Sequence, residues 1–361
     1  MKILYAIQGT GNGHISRARD IIPELMQKGE VDILISGTEA EVELPFPVKY
    51  RFHGLSFVFG KNGGIDLLAT YRKGNIKRLY DEIQMLPVDD YDLIINDFEP
   101  VSAWACKLSN KQCIGLSHQG AVVNKKAPKP VKKDVVGKAI LKFYAPVTMQ
   151  FGFHFENYDV NIFTPVIRNE IRNMPPLTLE HYTVYLPAYS DNRILKILTQ
   201  IPGIYWHVFS KNAKEKYVRD NIEVHPINNS FFIQSLATCT GVLCGAGFET
   251  PAEALFLNKK LLVLPMKGQY EQQCNAAALN KLGIPVLKNL KNKQLDKIND
   301  WTQLNRSVGI SYPDCTSHII EEIFRYYFST PVTIIEPGNI PASLKKFRTM
   351  NLEKILKHIT N

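Results

Sequence analysis

Three stretches of this chain carry residue types whose spacing can do chemistry. The first, Gly9-Thr10-Gly11-Asn12-Gly13-His14, follows an apolar run from Lys2 to Gln8 and precedes a helical pattern from about Ile15 to Gln27. Glycines between a strand and a helix let an anion or ligand approach the backbone, so Gly11 and Gly13 are candidate contacts. His14 opens the helix and offers a ring nitrogen that can take a proton. The second stretch runs from Gly241 to Gly283. It reads as strand, glycine turn (Gly245, Gly247), helix, strand, polar loop and helix. Its first loop suits a diphosphate, with Thr250 in reach of a phosphate oxygen and Glu253 one turn on, where a ribose would lie. Its second loop places Glu271 beside Gln272, and a carboxylate next to an amide offers sugar hydroxyls both acceptors and donors. The third set is scattered over strand ends and turns: Asp97, His118, Arg168 and Ser190. In an open α/β sheet, ligands bind beyond the carboxyl ends of the strands.

Each of these residues has an ordinary reading when taken singly. His14 caps or packs, Glu99 caps the helix that Pro100 begins, Arg168 is a surface arginine after a turn, and the polar loops are solvated connections. Their joint occurrence at strand ends favours a site. A dinucleotide-dependent dehydrogenase fits poorly. The G-x-G-x-x-G pattern needs its third glycine at 14, where this chain has His14, and the second strand ends in Ser36 with no acid in place.

Gly247, Glu253, Pro265, Glu271-Gln272 and Asn275-Ala276 resemble the donor-site motif of inverting nucleotide-sugar glycosyltransferases of the GT-B fold. The resemblance extends to the UDP-glycosyltransferases and to the peptidoglycan N-acetylglucosaminyltransferase family (family 28 type), and GTGNGH is similar to their N-terminal glycine loop. It implies a sugar moved from a nucleotide donor, UDP-linked, to an acceptor hydroxyl with inversion, for cell-envelope glycan or glycolipid synthesis. It implies no cofactor and no metal beyond the nucleotide-sugar substrate. Residues implied for the donor are Gly11, Gly13, Arg168 at the phosphates, Ser190, Gly245, Gly247, Thr250, Glu253 at the ribose, and Glu271 and Gln272 at the sugar. His118 falls on the acceptor side. His14 is the first choice of general base, with Asp97 its orienting partner or the base itself. Two positions depart from the pattern. Gly245 stands where many relatives carry histidine or arginine, and the loop Leu186 to Ser190 lacks their glycines.

The elements that must position these residues alternate between strand and helix, which predicts an α/β protein with parallel sheets. The resemblance specifies two Rossmann-like domains facing each other across a cleft. The expected division is an acceptor-side domain over 1–171, a donor domain over 180–330, and a helix over 341–361 returning to the first domain. Phe46 to Phe59 reads as a hairpin-like strand pair, 65–86 as helix, and Arg172 to Leu179 as the linker.

Composition bounds the rest. The chain has 361 residues, 45% of them hydrophobic and 21% charged, as in a globular protein large enough for two cores. No apolar run reaches the ~20 residues of a spanning helix, and the N-terminus reads as a strand rather than a signal peptide. Cys106, Cys113, Cys239, Cys244, Cys274 and Cys315 lack metal spacing and read as reduced core thiols of a cytoplasmic protein. The net charge of +9 suggests an anionic partner. Seven lysines and one acid fall between Asn124 and Lys142, followed by an apolar and aromatic run to Phe155. An apolar helical face bordered by lysines suits an anionic membrane surface, which would deliver a lipid-linked acceptor and place the protein at the inner face of the membrane. The basic loop has no interleaved aromatics for stacking, so nucleic acid is not expected. Two other classes share the architecture: a nucleotide-sugar epimerase, and a binding protein without a working base.

Overall fold

The structure is a computed structural model that describes residues 1–37, 43–55, 76–132, 134–175 and 177–329. By their contacts these residues form two units. One comprises Met1–Lys126, Asp134–Val166 and 314–329, and the other comprises 127–132 and Ile167–Pro313.

The first unit is built on a sheet of β1 (Lys2–Gln8), β2 (Glu30–Ser36), β3 (Tyr50–Phe52), β4 (Leu93–Asp97), β5 (Ile114–Leu116), β6 (Met149–Phe153) and β7 (Ile162–Phe163). The strand order is β3-β2-β1-β4-β5-β6-β7, and every pair is parallel. Parallel strands are covered on both faces, which is why β1 and β4 read as unbroken apolar runs. Leu4, Ala6, Leu34 and Ile94 pack with Cys106 and Cys113 in one such layer. Helices follow the strands: α1 (Asn12–Met26), α2 (Ile76–Met85), α3 (Pro100–Leu108), α4 (His118–Val123) and α5 (Val135–Phe143).

In the second unit α6 (Asn169–Arg172) leads to a sheet of β8 (His181–Tyr185), β9 (Tyr205–Ser210), β10 (Tyr217–Arg219), β11 (Ile222–Pro226), β12 (Gly241–Gly245) and β13 (Lys260–Leu264). Its order is β10-β11-β9-β8-β12-β13, and β10 alone among these strands is antiparallel to its neighbour. The helices are α7 (Asp191–Leu198), α8 (Asn229–Thr238), α9 (Glu249–Phe256), α10 (Tyr270–Lys281) and α11 (Leu295–Gln303). Trp206 and Trp301 anchor the core, with Tyr182 between them.

The α/β class expected from the sequence is the class observed. Three expectations change. No hairpin occupies 46–55: the segment there forms β3, which pairs parallel to β2 by aligning Tyr50 with Leu34, because the open edge of β2 offers it a ladder. Residues 56–59 and 65–75 lie outside the described residues. The helix over Thr316–Ser329, α12, groups with the first unit instead of closing the second. Tyr326 packs edge-on to Phe151, centroids 6.0 Å apart, and Tyr327 donates to the Asp92 carbonyl at 3.1 Å. The first unit also ends at Val166, so Arg168 belongs with the second. The expected terminal helix over 341–361 lies outside the described residues. All six cysteines are free, and all but Cys315 are buried. Among the described residues, no helix is long and apolar enough to cross a membrane.

Candidate active site

In the first sheet the strand order reverses direction between β1 and β4, and their carboxyl ends carry the glycine loop and Asp97. Such a reversal opens a crevice for ligands. Gly9 is required by packing: a Cβ there would lie 2.8 Å from the Ile35 side chain, whereas one on Gly11 would meet nothing within 4 Å. The space above Gly11 is therefore open to a ligand. Gln8 steadies the loop by donating to Thr10 Oγ1 at 3.0 Å and to the Tyr144 hydroxyl at 2.8 Å.

Phe98 turns the chain sharply after β4. Its φ of +58° is unusual for a bulky residue, and its ring is held against Tyr144 at 4.9 Å. The turn sends Asp97 and Glu99 to different tasks. Glu99 caps α3, accepting from the Val101 and Ser102 amides, each at 2.6 Å. Asp97 reaches α1, where Oδ1 lies 2.9 Å from His14 Nδ1. Arg17, one turn along α1 from His14, grips the same carboxylate at 2.9 and 2.7 Å. Burial pushes the Asp97 carboxyl up, but the charge of Arg17 and the hydrogen bonds from His14 and Arg17 outweigh burial and hold it below the usual carboxylate range. An ionised carboxylate only accepts, so Nδ1 of His14 is the donor and the neutral ring keeps its lone pair on Nε2. The Gln119 amide nitrogen lies 3.3 Å from that Nε2. His14 retains 14% side-chain exposure while Asp97 has none, so an acceptor hydroxyl can reach the histidine and not the acid.

His118, expected on the acceptor side, is turned away. It is buried, and its Nδ1 lies 2.8 Å from the Phe153 carbonyl. The Ser117 side chain caps the short helix α4 at the Gly120 amide, and the helix then aims Gln119 at His14 instead. Arg17 and Gln119 were both missed by sequence reasoning. The three-residue spacing from His14 to Arg17, which puts them on one helix face, was the available signal.

In the second sheet the order reverses at β8, with β9 on one side and β12 on the other. Gly245 and Gly247 follow β12. A Cβ on Gly247 would meet nothing within 4 Å, and one on Gly245 would meet only Gln272 Oε1, at 3.8 Å. Helix α9 begins without a side-chain cap bond at Phe248, and Thr250 is half-buried in its first turn. Asn275 straps α10 to this loop by donating to the Ala246 carbonyl at 3.2 Å. Gln272 accepts from the Met266 amide at 2.9 Å, fixing the second loop, and Glu271 is half-buried beside it. Ser190 is exposed at the start of α7 and makes no cap bond to it.

Glu253 is buried, and Arg168 meets it fork to fork, Nε to Oε1 at 2.5 Å and Nη2 to Oε2 at 2.8 Å. The remaining nitrogen of Arg168 donates to Asn229 on α8 at 3.1 Å. Each guanidinium nitrogen of Arg168, the residue expected at the phosphates, thus has a partner inside the protein. Among the described residues no three His, Cys, Asp or Glu side chains are grouped to hold a metal ion.

Comparison with solved structures places this fold among the GT-B glycosyltransferases. Spinosyn rhamnosyltransferase SpnG matches with a TM-score of 0.58 and 14% identity, over 91% of this chain and 100% of that one. MurG of Acinetobacter baumannii matches at 0.53 and 14%, over 90% and 99%. A UDP-glucosyltransferase from Polygonum tinctorium matches at 0.54 and 12%, over 91% and 99%. No curated protein sequence gives a significant match. At these identities the structures speak for the fold alone. The sequence profile described as glycosyl transferase family 1 matches residues 1–304. With most of its length inside that profile, the chain belongs to glycosyl transferase family 1 and is a sugar-transferring enzyme.

Proposed function

We propose that the enzyme moves a sugar from a UDP-linked donor to an acceptor hydroxyl with inversion, using His14 as general base. The contact that carries this reading is His14 Nδ1 on Asp97, which leaves the Nε2 lone pair as the proton acceptor of a ring that is not fully buried. Nε2 takes the hydroxyl proton as the acceptor oxygen bonds to the anomeric carbon. The bond from that carbon to the diphosphate breaks on the opposite face, and the proton leaves to solvent. In this reading the departing diphosphate is steadied by the positive end of the α9 dipole and the open turn at Gly245 and Gly247, with no metal required. Thr250 and Ser190 add hydroxyls for the phosphates, Glu253 takes the ribose, and Glu271 and Gln272 read the sugar. Arg168 supports Glu253 instead of touching phosphate. Nucleotide diphosphate fits the family resemblance, and a structure of SpnG is complexed with thymidine diphosphate.

The acceptor is proposed to be a carbohydrate or lipid-linked hydroxyl of a cell-envelope glycan or glycolipid. The enzyme would meet it at the inner face of the membrane, with the basic segment over 124–155 against anionic lipid. Incubation with UDP-sugars labelled in the sugar, with and without envelope extracts as acceptor source, tests the reading. Label transferred to acceptor, with inverted anomeric configuration, supports it. Epimerised sugar without transfer, or donor left intact, would replace it with an epimerase or a non-catalytic binding protein.

A further inference from the structure

Arg17 is buried on the core side of α1, at 2% exposure. An arginine there has to be explained, because a guanidinium inside a protein is costly unless it is fully engaged. Its Nη2 contacts both oxygens of Asp97, and its guanidinium lies 5.0 Å from the centre of the Phe153 ring. The same Nη2 lies 3.3 Å from His14 Nδ1. Both of those nitrogens donate to Asp97, so that approach is two donors sharing one carboxylate and not a hydrogen bond between them.

Among the described residues, three other titratable groups near this end of the sheet have partners elsewhere. Glu99 is turned to Ser36 and the α3 amides, His118 to the Phe153 carbonyl, and the Tyr144 hydroxyl lies between Gln8 and the Leu55 carbonyl. Gln119 is uncharged. Asp97 and Arg17 are therefore the charges that face His14 from β4 and from its own helix.

We propose that Arg17 is the positioning residue of the proton-transfer step: it fixes the Asp97 carboxylate, so that His14 keeps its proton on Nδ1 and presents Nε2 to the acceptor. Without Arg17 the buried Asp97 would be an uncompensated anion. It would either draw a proton onto His14 or become protonated itself, and in both cases the base would be lost. With Arg17 the charge of Asp97 is already balanced, so the acid orients the ring without trapping it as imidazolium, and Asp97 is not the base.

This inference rests on His14 being the base, but its test needs no substrate. Protein labelled with ¹⁵N-histidine, with the His14 signals assigned by their loss in His14→Gln, reports tautomer and proton uptake directly. In the wild type, the neutral His14 ring is expected to carry its proton on Nδ1. In Arg17→Met, the His14–Asp97 pair should take up a proton about 1–3 pH units higher than in the wild type, while Arg17→Lys, which keeps the charge but not the guanidinium, should stay near the wild-type midpoint. A neutral ring protonated on Nε2 in the wild type would overturn the proposal, as would an unmoved midpoint in a folded Arg17→Met. Should Arg17→Met fail to fold, the wild-type tautomer and the Arg17→Lys midpoint decide. A failed sugar-transfer assay would leave these spectra as they are, so the two readings fail separately.

Discussion

Arg168 and Glu253 stand 85 residues apart in the chain and meet as a buried fork-to-fork pair in the second unit. Arg168 follows the first sheet's last strand, yet it is gripped by the helix that follows the Gly245 turn. The ribose carboxylate of the proposed donor site is thus preorganised by a cation, and Asn229 on α8 fixes that cation in turn. Glu253 retains acceptor capacity beyond its two bonds to Arg168, because a carboxylate offers about four lone-pair sites.

Removing Glu253 should therefore do two things at once. Glu253→Ala should weaken UDP binding at least tenfold, since a hydrogen bond to a charged group contributes about 1.5–3 kcal/mol. It should also cost about 3–5 kcal/mol of stability by stranding a buried Arg168. Arg168→Met combined with Glu253→Leu should recover most of that stability without recovering affinity. Calorimetric titration with UDP and thermal unfolding of the three variants check this, and unchanged UDP affinity in Glu253→Ala would remove Glu253 from the donor site.

His14→Ala should lose about 10²–10⁴-fold in turnover, the usual contribution of a positioned base, with donor affinity retained because the proposed role of the ring is to take the acceptor's proton and not to hold the donor. Steady-state kinetics with UDP titration in parallel separate the two effects. A fall of less than threefold would leave His14 a structural partner of Asp97 and nothing more.

Gln272 holds the Met266 amide and lies over Gly245. Gln272→Ala should raise KM for intact donor while leaving UDP affinity nearly unchanged. Equal losses for both ligands would assign the residue to shaping the loop.

What could be read in advance follows from where the signals come from. β1, β4, β12 and β13 were legible because parallel strands buried on both faces are bare apolar runs. The edge strand β10 was not: Tyr217, Val218 and Arg219 are all exposed, so they carry no alternation. Asp97 and the glycine turns were legible because they stand at strand ends. That Gln119 and not His118 lies beside His14 was not legible, because a polar cluster after a strand does not show how the next short helix turns. Arg17 reads as any polar residue on a helix, and the partner of Arg168 is fixed only when two distant helices are packed. Long-range pairs of this kind leave no local trace.

Acid should destabilise the second unit through three histidines on one face of its sheet. His181 and His207 stack with centroids 4.0 Å apart, and His225 lies 5.5 Å from His207. Burial pushes all three below the ordinary value, His207 to about 4, with Lys259 opposing the charge of His181 and Lys216 that of His207 and His225, while Glu223 favours all three charges. Between about pH 6.5 and 4 the unfolded chain binds protons that the folded chain refuses, so stability is full above that window and falls as pH drops through it. Each unit of depression corresponds to about 1.4 kcal/mol. The carboxylates held low, Asp97 and Asp159, lose their contribution only at lower pH. Urea midpoints at pH 7.5 and 5.0 should differ in the wild type and differ less in His207→Asn, where His181 and His225 remain. Equal midpoints in the wild type would show that the cluster is already compensated.

The basic segment offers the last prediction. Helix α5 buries only Ile140 among its residues, while Val135 and Val136 are 77% and 53% exposed, and Val131 before them is fully exposed. Lys125, Lys126, Lys132, Lys138 and Lys142 are exposed as well. Exposed valines beside several lysines suit a surface that is apolar a few ångströms in and anionic at its face, which is the chemistry of an acidic leaflet. Each lysine near such a surface contributes about 1 kcal/mol, a term that salt screens. Lys126 already spends its charge on Asp159 at 2.7 Å, so it should contribute less than Lys125 or Lys132. The enzyme should sediment with anionic liposomes at low salt and be released at high salt. Replacing Lys125, Lys126, Lys132 and Lys133 by glutamine should abolish sedimentation with UDP binding intact, and Val135→Ser with Val136→Ser should weaken it without changing its salt dependence. Equal recovery on neutral and anionic vesicles at low salt would leave a soluble acceptor as the partner of His14.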